Sequence, residues 1–347
     1  MIDPFKVHRA LRARGVLGIN ARNRDYIYPY NPRRNFPAVD DKVVTKAIAI
    51  AAGVRVPEQY AVLEYQGHIH LLRKVADKHE EFVIKPARGS GGGGILVIGG
   101  HGRTGLRKAS GDLMTWDEVH FHVSNIFGGL FSLGGGSDRV LIEQRLHTDS
   151  SFDLLAYKGV PDVRVIVFRG VPIAAMLRLP TSLSDGKANL HMGGVGAGVD
   201  LPTGTTTRAV CKGEAIDRHP DFETPLAGFV VPHWMEVLEL SARLGGSIGL
   251  GYVGVDLVID RDLGPTMLEL NARPGIAIQI ANGMGLAHGL RRVRALKKVP
   301  EDPAERRTLA IRIAEEMRAA PAASPARPPD LRPDAIDAAA ALGSARP

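Results

Sequence analysis

The stretch G-V-D-L-V-I-D-R-D-L-G-P-T-M-L-E-L-N-A-R-P-G, residues 254–275, carries the pattern on which the reading of the chain turns. Val255, Leu257 and Ile259 alternate with Asp256 and Val258; after a turn, Leu268 and Leu270 alternate with Glu269 and Asn271. A period of two marks β-strands, so the stretch predicts an antiparallel hairpin that presents Asp256, Glu269 and Asn271 on one face. Two carboxylates and an amide are hard oxygen donors suited to Mg²⁺, which keeps its other positions for water and phosphate oxygens. The competing reading pairs the two acids with Arg273 or another buried arginine. Either way a cation must stand close, because an unpaired charge in an apolar strand is costly. Asp260 and Asp262 fall in the turn and are expected in solvent.

Upstream, V-I-K-P-A-R-G-S-G-G-G-G-I-L-V-I, residues 83–98, sets a glycine cluster between two short apolar runs, which predicts strand, glycine turn, strand. Glycines there let backbone N–H groups approach an anion, and Lys85 and Arg88 add charge beside them. A ligand-free glycine hairpin is the plain alternative on this segment alone. Neither G-L-G-Y-V-G (249–254) nor G-H-G-R-T-G (100–105) suits a dinucleotide: the first leads into a strand, the second into a loop, and neither opens a helix. No Gly-Lys pair is followed by Ser or Thr, so a Walker A loop is absent.

The 347 residues include 44% hydrophobic and 23% charged residues, an ordinary globular balance. A formal charge of +7 favours anionic partners without naming one. Aromatics are 5% and do not interleave with basic residues, so nucleic acid is not expected as a partner. The single cysteine, Cys211, allows no internal disulfide and fits a reducing cytoplasm. No signal peptide or membrane-spanning run is seen.

Along the chain, residues 1–39 predict a short helix and an extended arm. Asp40 or Asp41 caps a helix through Ala52 with an apolar stripe of Val43, Val44, Ala47, Ile48 and Ala51; Lys42 in its first turn, where the dipole disfavours a cation, suggests an anion nearby. Thr115 and Glu118 form a capping box ahead of a helix that turns Trp116, Val119, Val123 and Ile126 inward. R-V-L-I-E-Q-R-L is a buried strand, D-V-R-V-I-V-F-R-G-V-P-I-A-A-M-L-R-L a pair of strands, and Pro232–Leu244 a helix packing through Met235, Leu238 and Ala242. The class is α+β or mixed α/β. A last helix follows Glu301, and the Pro/Ala/Arg-rich stretch from Pro321 to Pro347 is expected to be disordered.

Taken in order, Lys42 after Asp41, V-I-K-P with its glycine loop, V-L-I-E-Q-R-L, D-V-R-V, N-L-H-M-G-G and L-E-L-N-A-R-P-G resemble the ATP-grasp superfamily, and within it the RimK-related branch of α-L-glutamate ligases. The resemblance spans roughly residues 17–295 and implies an α+β fold of two subdomains, 40–146 with the glycine-rich lid and 147–300 with the metal site, holding ATP between antiparallel sheets. It places Lys42 and Lys85 on the phosphates; Gly89, Ser90, Gly91, Gly92, Gly93 and Gly94 as a lid over them; Glu143 with the backbone of Gln144, Arg145 and Leu146 on adenine; and Asp162 on ribose. It makes Asp256, Glu269 and Asn271 ligands of Mg²⁺ or, in its stead, Mn²⁺, and sets Arg164, Arg178, Asn189, His191 and Arg273 around the reacting groups. The activity implied is ADP-forming ligation of a carboxylate to an amine, with a small molecule, a peptide or a protein as acceptor. A small-molecule kinase or a non-catalytic ATP-binding module would use the same nucleotide site. Two departures bear on substrate: Pro86 and Met192 differ from the glutamate-adding pattern, and the arm Gly18–Arg34 stands where those enzymes carry a full N-terminal domain.

Overall fold

The computed structural model describes residues 4–89 and 91–319. Its strands form two antiparallel sheets. The smaller has the order β1-β6-β2-β3-β4-β5, built from β1 (Gln59–Leu63), β2 (Phe82–Pro86), β3 (Leu96–His101), β4 (Gly105–Lys108), β5 (Leu113–Thr115) and β6 (Val140–Glu143). The larger runs β11-β10-β9-β8-β7-β12-β13, from β7 (Asp162–Phe168), β8 (Val171–Leu179), β9 (Val195–Val199), β10 (Thr206–Cys211), β11 (Glu214–Ile216), β12 (Tyr252–Asp260) and β13 (Gly264–Asn271).

The small sheet is closed on one face by the helices His70–Ala76 and Trp116–Phe127, which bury Leu72, Val119, Val123 and Ile126 against Phe82, Ile84 and Ile98. Thr115 and Glu118 make the reciprocal capping box the sequence predicts. As expected, β2 and β3 pair on either side of the glycine loop, with Phe82 opposite Ile98 and Ile84 opposite Leu96.

In the large sheet, alternation sorts residues to two cores. Val163, Val165, Val167, Ala175, Leu177, Val255 and Leu257 pack under the helix Trp234–Ser247. On the opposite face the strands divide along their length. Ile166, Phe168, Val171 and Tyr252 form an apolar half covered by Tyr26, Ile27 and the helices after Ile278. The other half of that face carries charge, and it forms the candidate site. A bulge at Leu268 holds the two halves in register: Glu269 pairs with Asp256 and Met267 with Leu257, so Met267 and Leu270, three apart, both reach the apolar core.

Four sequence expectations are corrected. The arm is helical rather than extended: Ile19–Arg22, a π-turn over Asn23–Ile27 and Tyr28–Tyr30 follow one another. The π-turn widens the helix just ahead of Pro29, whose ring and missing N–H would break a regular ladder. The helix Lys42–Ala51 is capped by Asp41, whose side chain accepts from Val43 N at 3.1 Å, but its inward face is Thr45, Lys46 and Ala49, while Val44 and Ile50 stay exposed. Met235 is likewise exposed; Trp234, Val237 and Leu238 do the packing in its helix. Asp260 is buried and accepts from the N–H groups of His147, Asp262 and Leu263 at 2.7–2.9 Å, which makes it the organiser of the turn; Asp262 is the solvated one. The final helix spans Pro303–Ala319, and the tail from Pro321, expected to be disordered, lies outside the described residues.

Candidate active site

Residues two apart on one strand, and residues paired across strands, share a face. Asp162 pairs with Arg178, Arg164 with Asp256, and Asp256 with Glu269, so β7, β8, β12 and β13 lay five ionisable side chains on one surface. Arg164 meets Asp256 through Nε and Nη2 at 2.7 and 2.5 Å. Arg178 meets Asp162 the same way at 2.5 and 2.6 Å and adds a bond from Nη2 to Asp256 at 2.7 Å. Asn271 Nδ2 lies 3.3 Å from Asp256 Oδ2. Both guanidiniums keep Nη1 without an acceptor among the described residues.

Charges this close and this dry shift one another. Burial drives the Asp162 carboxyl up to about 6, against the pull of Arg178 and with the push of Asp256. Burial pushes on Asp256 too, but Arg164 and Arg178 outweigh it and hold that carboxyl below the usual range. Asp256 therefore stays ionised while Asp162 is the proton-accepting member of the set.

Glu269 differs from both. It is half-buried, directly opposite Asp256, and makes no hydrogen bond or ion pair among the described residues. Close to it stands Lys42, at the start of the helix Lys42–Ala51 that packs against β13; its ammonium is held below its usual value by burial, partly countered by Glu269. Lys42 Nζ donates to Gly89 O at 2.5 Å at the base of the glycine loop. Lys85 and Lys46 both contact the Glu143 carboxylate, and Lys46 Nζ also donates to Pro57 O at 2.8 Å. Burial lowers Lys46 to about 8, although Glu143 pulls it back up.

The predicted residues thus fall into three groups. Lys42, Lys85, Gly89, Gly91, Gly92, Gly93, Gly94 and Glu143 stand on the small-sheet side, Ser90 lying outside the described residues. Gln144 N donates to Glu58 O at 2.8 Å, whereas the N–H groups of Arg145 and Leu146 donate to nothing among the described residues. Asp162, Arg164, Arg178, Asp256, Glu269 and Asn271 stand on the large-sheet side, and both oxygens of Asp162 are engaged by Arg178, unlike the ribose contact the resemblance implies. Asn189 caps a short turn by accepting from His191 N at 3.0 Å, and His191 itself is exposed. Arg273 turns away from Asp256 and stacks on Phe36, 4.8 Å from the ring centre. Of the two arginine alternatives for Asp256, it is the other buried arginines, Arg164 and Arg178, and not Arg273, that pair with it.

Sequence reasoning missed Lys46. Its spacing of four from Lys42, on the same helical face, was the available signal. It also missed what holds the loop after β13: Arg22 Nη1 donates to Pro274 O at 2.7 Å, and the Asn31 amide bonds Tyr252 N, Tyr252 O and Ala272 O at 2.7–3.1 Å.

Two antiparallel sheets, with Lys42 and Lys85 on one side of the site and the acidic hairpin β12–β13 on the other, fit an ATP-grasp fold. The model of the sugar-transfer associated ATP-grasp family matches residues 21–295, and the chain belongs to that family. No curated protein matches the sequence. Among solved structures, the chain is similar to the ATP-grasp ligase PsnB complexed with a minimal precursor, with 18% identity and a TM-score of 0.42 over 75% of this chain and 60% of that one. It is also similar to a RimK domain ATP-grasp protein from Sphaerobacter thermophilus, with 15% identity, a TM-score of 0.42 and coverage of 76% and 70%. A D-alanine–D-alanine ligase from Bacillus anthracis complexed with ATP matches with 13% identity and a TM-score of 0.38 over 82% and 67%. The chain spans about 60% of the length of the PsnB structures it matches. No described helix is long and apolar enough to cross a membrane.

Proposed function

We propose that the protein is an ATP-dependent, ADP-forming ligase that joins a carboxylate to an amine through an acyl-phosphate, adding an amino acid such as glutamate to an acceptor. One observation carries this reading: Glu269, a half-buried carboxylate without a hydrogen-bonding or ionic partner among the described residues, lies beside Asp256 and Asn271 and close enough to Lys42 to raise its pKa. Membership of an ATP-grasp family supports ATP as the nucleotide.

The donor set suits Mg²⁺, or Mn²⁺ in its place: Glu269 and Asn271 offer hard oxygens that accept no hydrogen bond among the described residues, whereas both oxygens of Asp256 are engaged by Arg164 and Arg178, so Asp256 would hold the ion only on giving up one of those bonds. Among the described residues no three His, Cys, Asp or Glu side chains cluster, so the amide of Asn271 is a needed member. When bound there, the ion would neutralise charge on the nucleotide phosphates. Lys42 and Lys85 supply fixed positive charge for the same phosphates, and the loop Gly89–Gly94 supplies backbone N–H groups. The unengaged N–H groups of Arg145 and Leu146 suit adenine. Arg164 and Arg178, fixed by Asp256 and Asp162, present their Nη1 edges to an incoming carboxylate, so orientation costs little at the moment of reaction. That carboxylate takes the γ-phosphoryl group as ADP departs. The amine nitrogen then attacks the acyl carbon, loses a proton and expels phosphate.

The test is ADP and phosphate release from ATP and Mg²⁺ with pooled amino acids and small carboxylates, amino sugars and uronic acids included because of the family's association with sugar transfer. Release that requires both an amine and a carboxylate pool, is absent in Glu269→Ala, and yields an amide by mass spectrometry is expected. Phosphorylated product formed without any amine would refute ligation and indicate a kinase.

A further inference from the structure

A second glycine-rich segment, Gly128 to Gly136, lies in no part of the function argued above, yet it touches both ends of the loop after β2. At the first end, the Arg88 N–H donates to both oxygens of the buried Asp138 at 3.1 and 2.9 Å. Asp138 also accepts from Ser132 Oγ and Arg139 N, each at 2.7 Å. Leu133 N donates to Arg88 O at 3.1 Å, and Gly89 and Ser132 form an isolated antiparallel bridge. At the second end, His122 Nε2 lies 3.0 Å from Gly94 O. The Phe131 ring packs where a Cβ on Gly94 would stand, 2.6 Å from the built position, and Gly94 has φ +73°. The segment closes on itself at Gly129, where an added Cβ would meet Gly136 O at 2.3 Å.

Each contact is local, but together they have one consequence. Asp138 accepts four hydrogen bonds, two of them from the N–H that starts the glycine loop, so the position of Arg88 is set by residues some fifty places further along the chain. Phe131 and His122 set the position of Gly94 at the other end. Glycine-rich backbone has little rigidity of its own, so the placement of its N–H groups depends on what fixes its two stems.

We infer that Gly128–Asp138 is a brace for the glycine loop, and that Asp138 and Phe131 are positioning residues that set where the loop's N–H groups stand over the nucleotide phosphates. The phosphate part of this inference rests on the function proposed above; the bracing part does not. Asp138→Asn keeps the side chain's size and removes one acceptor, leaving Arg88 N–H with half its clasp. Ser132→Ala and Phe131→Leu loosen the same unit from the other side.

Limited trypsin digestion of the full chain reads the brace directly, because the Arg88 side chain is 54% exposed and the bond after it is a tryptic site. Peptide masses from a time course give nicking after Arg88 relative to nicking after the exposed Arg103. At least tenfold faster nicking after Arg88 in Asp138→Asn, and a smaller rise in Ser132→Ala and Phe131→Leu, is expected, with cleavage after Arg103 unchanged. Equal acceleration at both sites means general unfolding and overturns the inference, as does no acceleration in any variant. Calorimetric titration then tests positioning: Asp138→Asn should weaken a non-hydrolysable ATP analogue about tenfold and leave AMP unaffected. Equal loss for both nucleotides overturns a positioning role. Should the wild type bind neither, the ATP reading fails, and the brace is still decided by the digestion.

Discussion

Asp162→Asn probes the charged face most directly. In the folded chain this carboxyl titrates at about 6, raised from 3.8 by burial and by Asp256. A raised acid means that the folded state holds a proton the unfolded chain releases. The resulting stabilisation is complete below about 3.8 and is lost as pH rises through 6. Between pH 5 and pH 8 the direction of that shift makes wild type the more stable at pH 5, by an amount on the order of 1 kcal/mol. Asparagine at 162 removes that proton site while its amide oxygen still accepts from Arg178, and Arg178 keeps its bond to Asp256. The difference in stability between wild type and Asp162→Asn should therefore swing toward wild type, by an amount on the order of 1 kcal/mol, on going from pH 8 to pH 5. Urea titrations at both pH values in a Trp116→Phe background, followed by the fluorescence of Trp234 in the core under the large sheet, measure it. A pH-independent difference would refute the reasoning, because it would mean that the proton resides elsewhere or that Asp162 is as acidic folded as unfolded.

Glu269→Ala should abolish Mg²⁺-dependent ADP release yet move stability by less than about 1 kcal/mol, since the side chain makes no bond among the described residues; matched melting curves and turnover assays check both halves. Lys46→Met leaves Glu143 with Lys85 alone, which should draw Lys85 away from the phosphates and weaken ATP binding several-fold. Wild-type ATP affinity should also decline as pH rises through about 8, where Lys46 loses its charge, and that decline should be absent in the methionine variant. Asn31→Ala strands the buried backbone groups of Tyr252 and Ala272 and should cost about 2–4 kcal/mol, read as a lower urea midpoint.

Much of this was legible in residue order. Alternation placed β12 and β13 and put Asp256 and Glu269 on one face, because the side-chain period of a strand is fixed by its backbone. The capping box at Thr115 and Glu118, the strands either side of the glycine loop and the hairpin at Arg169-Gly170 were readable for the same reason: each depends on residues within a few positions of one another. The order of the motifs pointed to the superfamily.

What the sequence could not contain was the choice of partner. That Arg164 and Arg178, rather than Arg273, neutralise Asp256 follows from strand order, since β7 lies between β8 and β12, while Phe36 takes Arg273. That Lys46 turns inward and Val44 outward follows from Glu143 waiting on a strand nearly a hundred residues away, because a paired lysine can be buried where a helical stripe alone predicts valine. The arm's helical form, Asp260's burial and the brace on the glycine loop depend likewise on donors and acceptors brought together from distant segments. Local periodicity sets which face a side chain occupies; only the assembled sheets determine which charge stands opposite it, and hence its pKa and its chemistry.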